Sequence, residues 1–167
     1  MACMRILLIN PFGIGDVLFS TPLISILKKK FPGCELSYIC NKRTYDVLEK
    51  CPHLKHVIIV EKDDIKALWK ESKRKFLKYL IFLAGTIKKE KFDLSIDMSM
   101  GHQYSFMLKL ANVPKRVGFN YKGRGRFLTH KVDFDGFNDK PIGEYYKDLL
   151  KKIGIEVSME PTKIYLS

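Results

Sequence analysis

Short apolar runs alternate along the chain with stretches of helical periodicity. Residues 5–10 are almost continuously apolar and end in Asn-Pro-Phe-Gly, the pattern of a central parallel strand. Residues 17–30 follow with helical spacing, and Phe31-Pro32-Gly33 stops them. Further strands are predicted at 35–40, 56–60, 94–98 and 116–119. Helices are predicted at 43–50, 104–111 and 143–154, the last amphipathic. Asp63 or Asp64 is placed to cap a long helical region reaching Lys91, with a break expected near Gly85. Residues 162–166 read as one more strand, begun and cut off.

Strands alternating with helices predict an α/β fold, a Rossmann-like, mainly parallel sheet with helices on both faces. The 167 residues suit one domain with one core, and no internal repeat or interdomain linker interrupts them. That length is short for an enzyme that needs two full domains to enclose its substrates.

Charge sharpens the picture, because the net +12 is unevenly distributed. Residues 73–91 hold seven Lys or Arg and one acid, and residues 115–131 hold six and no acid. Each stretch is therefore +6 and the remainder of the chain is neutral. Such concentration suits an anionic partner: a phosphate-bearing substrate, an anionic membrane surface or a nucleic acid.

Cys3, Cys34, Cys40 and Cys51 form no C-x-x-C pair, and no export signal is evident, so reduced thiols in a cytoplasmic protein are expected. Cys51, His53 and His56 lack a fourth ligand nearby and read as a plain loop, so no metal is expected. Residues 6–27 carry one charge, Asp16, but Pro11, Gly13, Gly15 and Pro22 break them, and strand–turn–helix suits them better than a membrane span.

The turn after the first strand, residues 10–16, is the default ligand site of an open parallel sheet. Gly13 and Gly15 permit close ligand approach. A dinucleotide site would want a third glycine where Leu18 stands, and an acid where Asn41-Lys42-Arg43 stands, so no NAD or other cofactor is expected. No phosphate-binding G-x-x-x-x-G-K-[ST] loop occurs. Asp16 is the only ionisable group in the turn and serves either as a helix cap or, if Thr21 caps a helix opening at Pro22, as an exposed carboxylate free for chemistry.

Residues 14–32, beginning Ile-Gly-Asp-Val-Leu-Phe-Ser-Thr-Pro, resemble the opening motif of the family 9 glycosyltransferases, the ADP-heptose:lipopolysaccharide heptosyltransferases and their relatives. Residues 92–97, the Arg116-Val-Gly-Phe119 segment, residues 125–131 and residues 144–154 resemble later segments of that family in the same order. The resemblance implies the N-terminal, acceptor-binding domain of a two-domain GT-B enzyme, spanning 1–167, with the C-terminal nucleotide-sugar domain absent. It implies an inverting, metal-independent transfer in which Asp16 removes the proton of the acceptor hydroxyl. Gly13, Gly15, Ser20, Thr21, His102, Gln103, Arg116, Lys122 and Arg124 are the expected substrate contacts.

Where relatives carry a basic residue after the fourth strand, this chain has Gly101-His-Gln-Tyr-Ser105, with His102 a substitute donor or a surface histidine. The implied acceptor is an anionic glycolipid or core oligosaccharide, and an ADP-heptose-like donor would bind only with the missing domain. Residues 76–84, flanked by Lys and Arg, either pack on the sheet or lie at the inner face of the cytoplasmic membrane. A non-catalytic glycan- or lipid-binding module is the alternative function, and a basic nucleic-acid-binding domain the weaker one, since no recognised nucleic-acid motif occurs.

Overall fold

The computed structural model describes residues 3–157 and residue 161. The strand expected at 162–166 lies outside them. Six strands occur in the order β1 (Arg5–Ile9), β2 (Glu35–Cys40), β3 (Leu54–Ile59), β4 (Leu94–Asp97), β5 (Lys115–Tyr121) and β6 (His130–Phe134). They form one sheet ordered β3-β2-β1-β4-β5-β6, and every pairing is parallel. This is the strand order of a Rossmann-like sheet, with its switch point between β1 and β4.

Six helices cover it: α1 (Ile14–Lys30), α2 (Tyr45–Leu48), α3 (Lys62–Glu71), α4 (Lys73–Lys89), α5 (His102–Leu110) and α6 (Ile142–Lys151). The run Ile6-Leu-Leu-Ile9 is buried on both faces because β1 is central. Ile6 and Leu8 pack with residues of α1 and α6, whereas Leu7 and Ile9 pack with residues of α3, α4 and α5. Alternation along one strand thus feeds two cores, which requires helices on both faces.

Helix α1 starts at Ile14, with Gly13 as its N-cap, so Thr21 does not open a new helix at Pro22. Proline inside a helix lacks the N–H that should reach the carbonyl four residues back, here that of Leu18. The Thr21 hydroxyl donates to that carbonyl at 2.8 Å and replaces the missing bond. The long helix breaks at Ser72, not at Gly85, which lies within α4. Ser72 is extended (φ −161, ψ 119), ends α3, and accepts from the Lys75 N–H at 3.4 Å as the cap of α4. The cap of α3 is Glu61, with Asp63 and Asp64 in its first turn.

Strand β6 was not expected from the residue pattern. Only alternate residues of His130-Lys-Val-Asp-Phe134 turn inward at this sheet edge, so no apolar run announces it. All four cysteines are free thiols.

Candidate active site at the sheet switch point

The carboxyl ends of β1 and β4 open into loops that two buried asparagines organise. Asn10, at the end of β1, accepts from the Phe12 N–H at 3.2 Å and donates to the Asp16 carbonyl at 3.1 Å. Asn41, at the end of β2, donates to the Phe12 carbonyl at 2.6 Å and accepts from the Thr44 N–H at 3.1 Å. The 11–13 loop is therefore clamped from both sides. Gly13 (φ −74, ψ 177) is in ordinary extended geometry, and a Cβ on Gly15 would meet nothing within 4 Å. Neither glycine is demanded by the backbone, which leaves open space beside the turn.

Asp16 sits in the first turn of α1, where the positive helix end attracts an anion. Tyr146, on α6, donates its phenolic hydrogen to Asp16 Oδ1 at 3.3 Å, and Asn10 Nδ2 reaches the same phenol oxygen at 3.4 Å. Burial, then the Asp16 charge, push the Tyr146 phenol well above its ordinary range, so it remains a donor.

Beside this turn lies an open hollow of about 560 Å³. Phe12, Lys62, Lys66, Tyr121 and Arg124 line it, together with 99–103 from the loop after β4. Lys62 Nζ lies 4.4 Å from the Phe12 ring centroid. Desolvation, then the neighbouring Lys66 and Arg124 charges, lower the Lys62 ammonium from its ordinary range, with Asp63 opposing. Lys62, Lys66 and Arg124 together give this hollow a concentration of positive charge. Met100, in its rim, holds φ +56, a left-handed conformation unusual for a non-glycine residue.

Asp97 ends β4 beneath that rim and is fully buried; desolvation pushes its carboxyl up to about 6, against the Ser99 N–H it accepts at 2.9 Å. A Cβ on Gly101 would meet the Gln103 carboxamide at 2.5 Å, so glycine there lets Gln103 fold back over the loop. Among the described residues no group of three or more His, Cys, Asp or Glu is gathered to hold a metal ion.

The expected contacts divide. His102, Gln103 and Arg124 meet in the hollow, and Gly13 lines a smaller one beside it with Asn41, Arg43 and Lys62. Asp16 lines neither hollow but stands at the turn between them and α6. Ser20 and Thr21 are wholly buried: the Ser20 hydroxyl lies 2.5 Å from that of Tyr38, and Thr21 serves the Leu18 carbonyl. Neither presents an atom to a ligand.

Arg116 stands near the start of β5, at the end of the parallel sheet opposite the switch-point loops. Its guanidinium donates to the Phe127 carbonyl at 2.8 Å and the Val113 carbonyl at 2.5 Å, so it ties a loop. Lys122 (φ +49) stacks over Tyr121 at 5.1 Å, outside the hollow's lining. Lys62, Lys66 and Tyr146 were not singled out from sequence. Lys62 and Lys66 lie before the basic stretch at 73–91, and Tyr146 sat in a motif without a role assigned to it.

No family model matches the chain. Lipopolysaccharide heptosyltransferase 3 of Escherichia coli is 22% identical over 153 residues, covering 89% of this chain and 42% of that protein. A family 9 glycosyl transferase structure from Veillonella parvula superposes with a TM-score of 0.73 at 21% identity, over 92% of this chain and 42% of its own. The chain resembles the family 9 glycosyltransferases. Escherichia coli heptosyltransferase WaaC, solved with ADP-2-deoxy-2-fluoro heptose, gives a TM-score of 0.74 at 16% identity over 95% of this chain and 51% of its own. The structural likenesses establish the shared Rossmann-like fold, and the chain spans about half the length of each of these three proteins.

Proposed function

We propose that the chain is the acceptor-binding half of an inverting, metal-independent glycosyltransferase of the heptosyltransferase kind, with Asp16 as general base. The observation that carries this reading is the pairing of an oriented carboxylate with a cationic hollow at one switch point. In the proposed reaction, an acceptor anion rests on Lys62, Lys66 and Arg124 and an acceptor hydroxyl is directed toward Asp16. The Asp16 carboxylate takes the hydroxyl proton as that oxygen attacks the anomeric carbon, and the nucleoside diphosphate leaves with the bonding electrons. Tyr146 holds the carboxylate in place and is a positioning residue.

In this reading the nucleotide sugar binds a second domain, on a continuation of this chain or on a separate one, and the acceptor is an anionic core oligosaccharide or glycolipid at the inner face of the membrane. Calorimetry of the 167-residue chain tests it: phosphorylated core oligosaccharide binds and ADP-heptose does not. Tight ADP-heptose binding by this chain alone would end the half-enzyme reading.

A non-catalytic glycan-binding module is the second reading, resting on the cationic hollow alone, whose lining does not include Asp16. Asp16→Asn separates the two, since a binding module keeps its whole function and a transferase supplied with a donor half loses turnover.

A further inference from the structure

The expectation for residues 76–84 offered packing or membrane contact, and α4 shows both on opposite sides. Leu80, Leu83, Ala84 and Ile87 are buried against the sheet. Leu77, Ile81 and Phe82 point outward with exposures of 44%, 54% and 68%. At the α-helical 100° per residue, these three share an arc of about 140° with Arg74, Lys78, Lys88 and Lys89. No acid occurs anywhere in α4, and Lys75, at the arc's edge, pairs with Glu71. Trp69, on α3, is half exposed and packs edge-on to Phe76 at 4.9 Å, on the inward side of α4 near its start.

We propose that the outward face of α4 docks in the plane of an anionic lipid surface. Large aliphatic and aromatic side chains interleaved with long cations suit that boundary, because the apolar groups enter the acyl edge while ammonium and guanidinium groups reach back to phosphates. A second copy of this chain fits poorly, since two-fold contact would set four cations against four. A nucleic acid would gain nothing from burying Leu77 and Ile81, which offer no stacking plane. No helix among the described residues is long and apolar enough to cross a membrane, so the contact is peripheral.

This inference rests on the acceptor-binding reading in one respect. Trp69 lines an apolar hollow that shares Lys66, His102 and Gln103 with the switch-point hollow, so docking on α4 would set the site beside a lipid-anchored acceptor.

The test uses vesicles free of any glycolipid, made of phosphatidylcholine with or without phosphatidylglycerol, and reads co-sedimentation and tryptophan emission. Trp69 is the only tryptophan, so Phe82→Trp in a Trp69→Phe background places a single reporter on this face. The chain is expected to sediment with phosphatidylglycerol vesicles only, with a blue shift of emission in that double variant. Arg74→Gln and Lys78→Gln should each weaken binding about fivefold. Phe82→Ser should weaken it about tenfold, and Lys152→Gln, in the turn that ends α6 on the other side of the sheet, should leave it unchanged. An equal loss with Lys152→Gln, an unshifted emission in the double variant or displacement of the vesicles by oligonucleotide would each overturn the proposal. Lys62→Ala keeps the two proposals separable, because it should weaken soluble oligosaccharide binding about tenfold while leaving vesicle binding intact.

Discussion

The Tyr146 phenol donates to Asp16 Oδ1 at 3.3 Å across 130 positions of chain, joining the last described helix to the first turn of α1. The same phenol oxygen accepts from Asn10 at 3.4 Å, so a strand end, a helix start and a distant helix meet at one atom. A carboxylate with one oxygen tethered has fewer orientations to lose when it takes a proton. Tyr146→Phe should therefore lower kcat of the completed transferase roughly tenfold or more with KM for the acceptor nearly unchanged. Thermal melting should show a loss of about 1 kcal/mol. An equal rise in KM would instead assign Tyr146 to acceptor binding.

The Thr21–Leu18 bond makes a prediction about Pro22. Thr21→Val leaves the Leu18 carbonyl without the bond that replaces the proline's missing donor, and should cost about 1–2 kcal/mol in denaturant unfolding. Adding Pro22→Ala restores a backbone N–H at that place and should recover much of the loss. A double variant no better than Thr21→Val would show that the hydroxyl serves some other partner.

Asp97 should make stability depend on pH. Its folded pKa is raised to about 6 by burial, so its protonated form favours the fold, and that advantage is full below the unfolded value near 3.8. It is lost as pH rises through about 6. Asp97→Asn should keep the acceptor for the Ser99 N–H and gain stability relative to the parent between pH 4 and pH 7, by about 2–3 kcal/mol at the upper end. Urea titrations across that range measure it, and a constant difference would contradict the assignment.

The two arginines near β5 should behave differently. Arg124→Gln and Lys62→Ala should each weaken binding of a phosphorylated oligosaccharide by about tenfold and flatten its dependence on salt. Arg116→Gln should leave that binding unchanged and lower the melting temperature, because the Val113 and Phe127 carbonyls lose their donor. Calorimetry and melting curves of the three variants decide between the two roles.

Much of the fold was legible because β1, β2 and β4 are buried on both faces and are therefore mostly apolar, while the glycine and proline stops between elements are local. Edge strand β6 escaped because one-sided burial leaves Lys131 and Asp133 in the run. Gly85 misled because it faces outward from α4, where a missing side chain costs only about 1 kcal/mol. Asp16 stood out as the sole ionisable group of its turn. Its partner Tyr146 and the cations Lys62 and Lys66 did not, because only the sheet order sets α3 and α6 on either side of the turn after β1. Arg116, a basic residue in a family-like segment, stands by contrast at the start of its strand, away from the switch-point loops.

The role of Asp16 is tested most directly by Asp16→Asn in the chain joined to, or mixed with, a nucleotide-sugar-binding half. Acceptor affinity and the rate of sugar transfer in a single turnover should be measured on the same preparation. The account predicts unchanged acceptor affinity with transfer reduced by about a hundredfold or more. Transfer at the parent rate would contradict it.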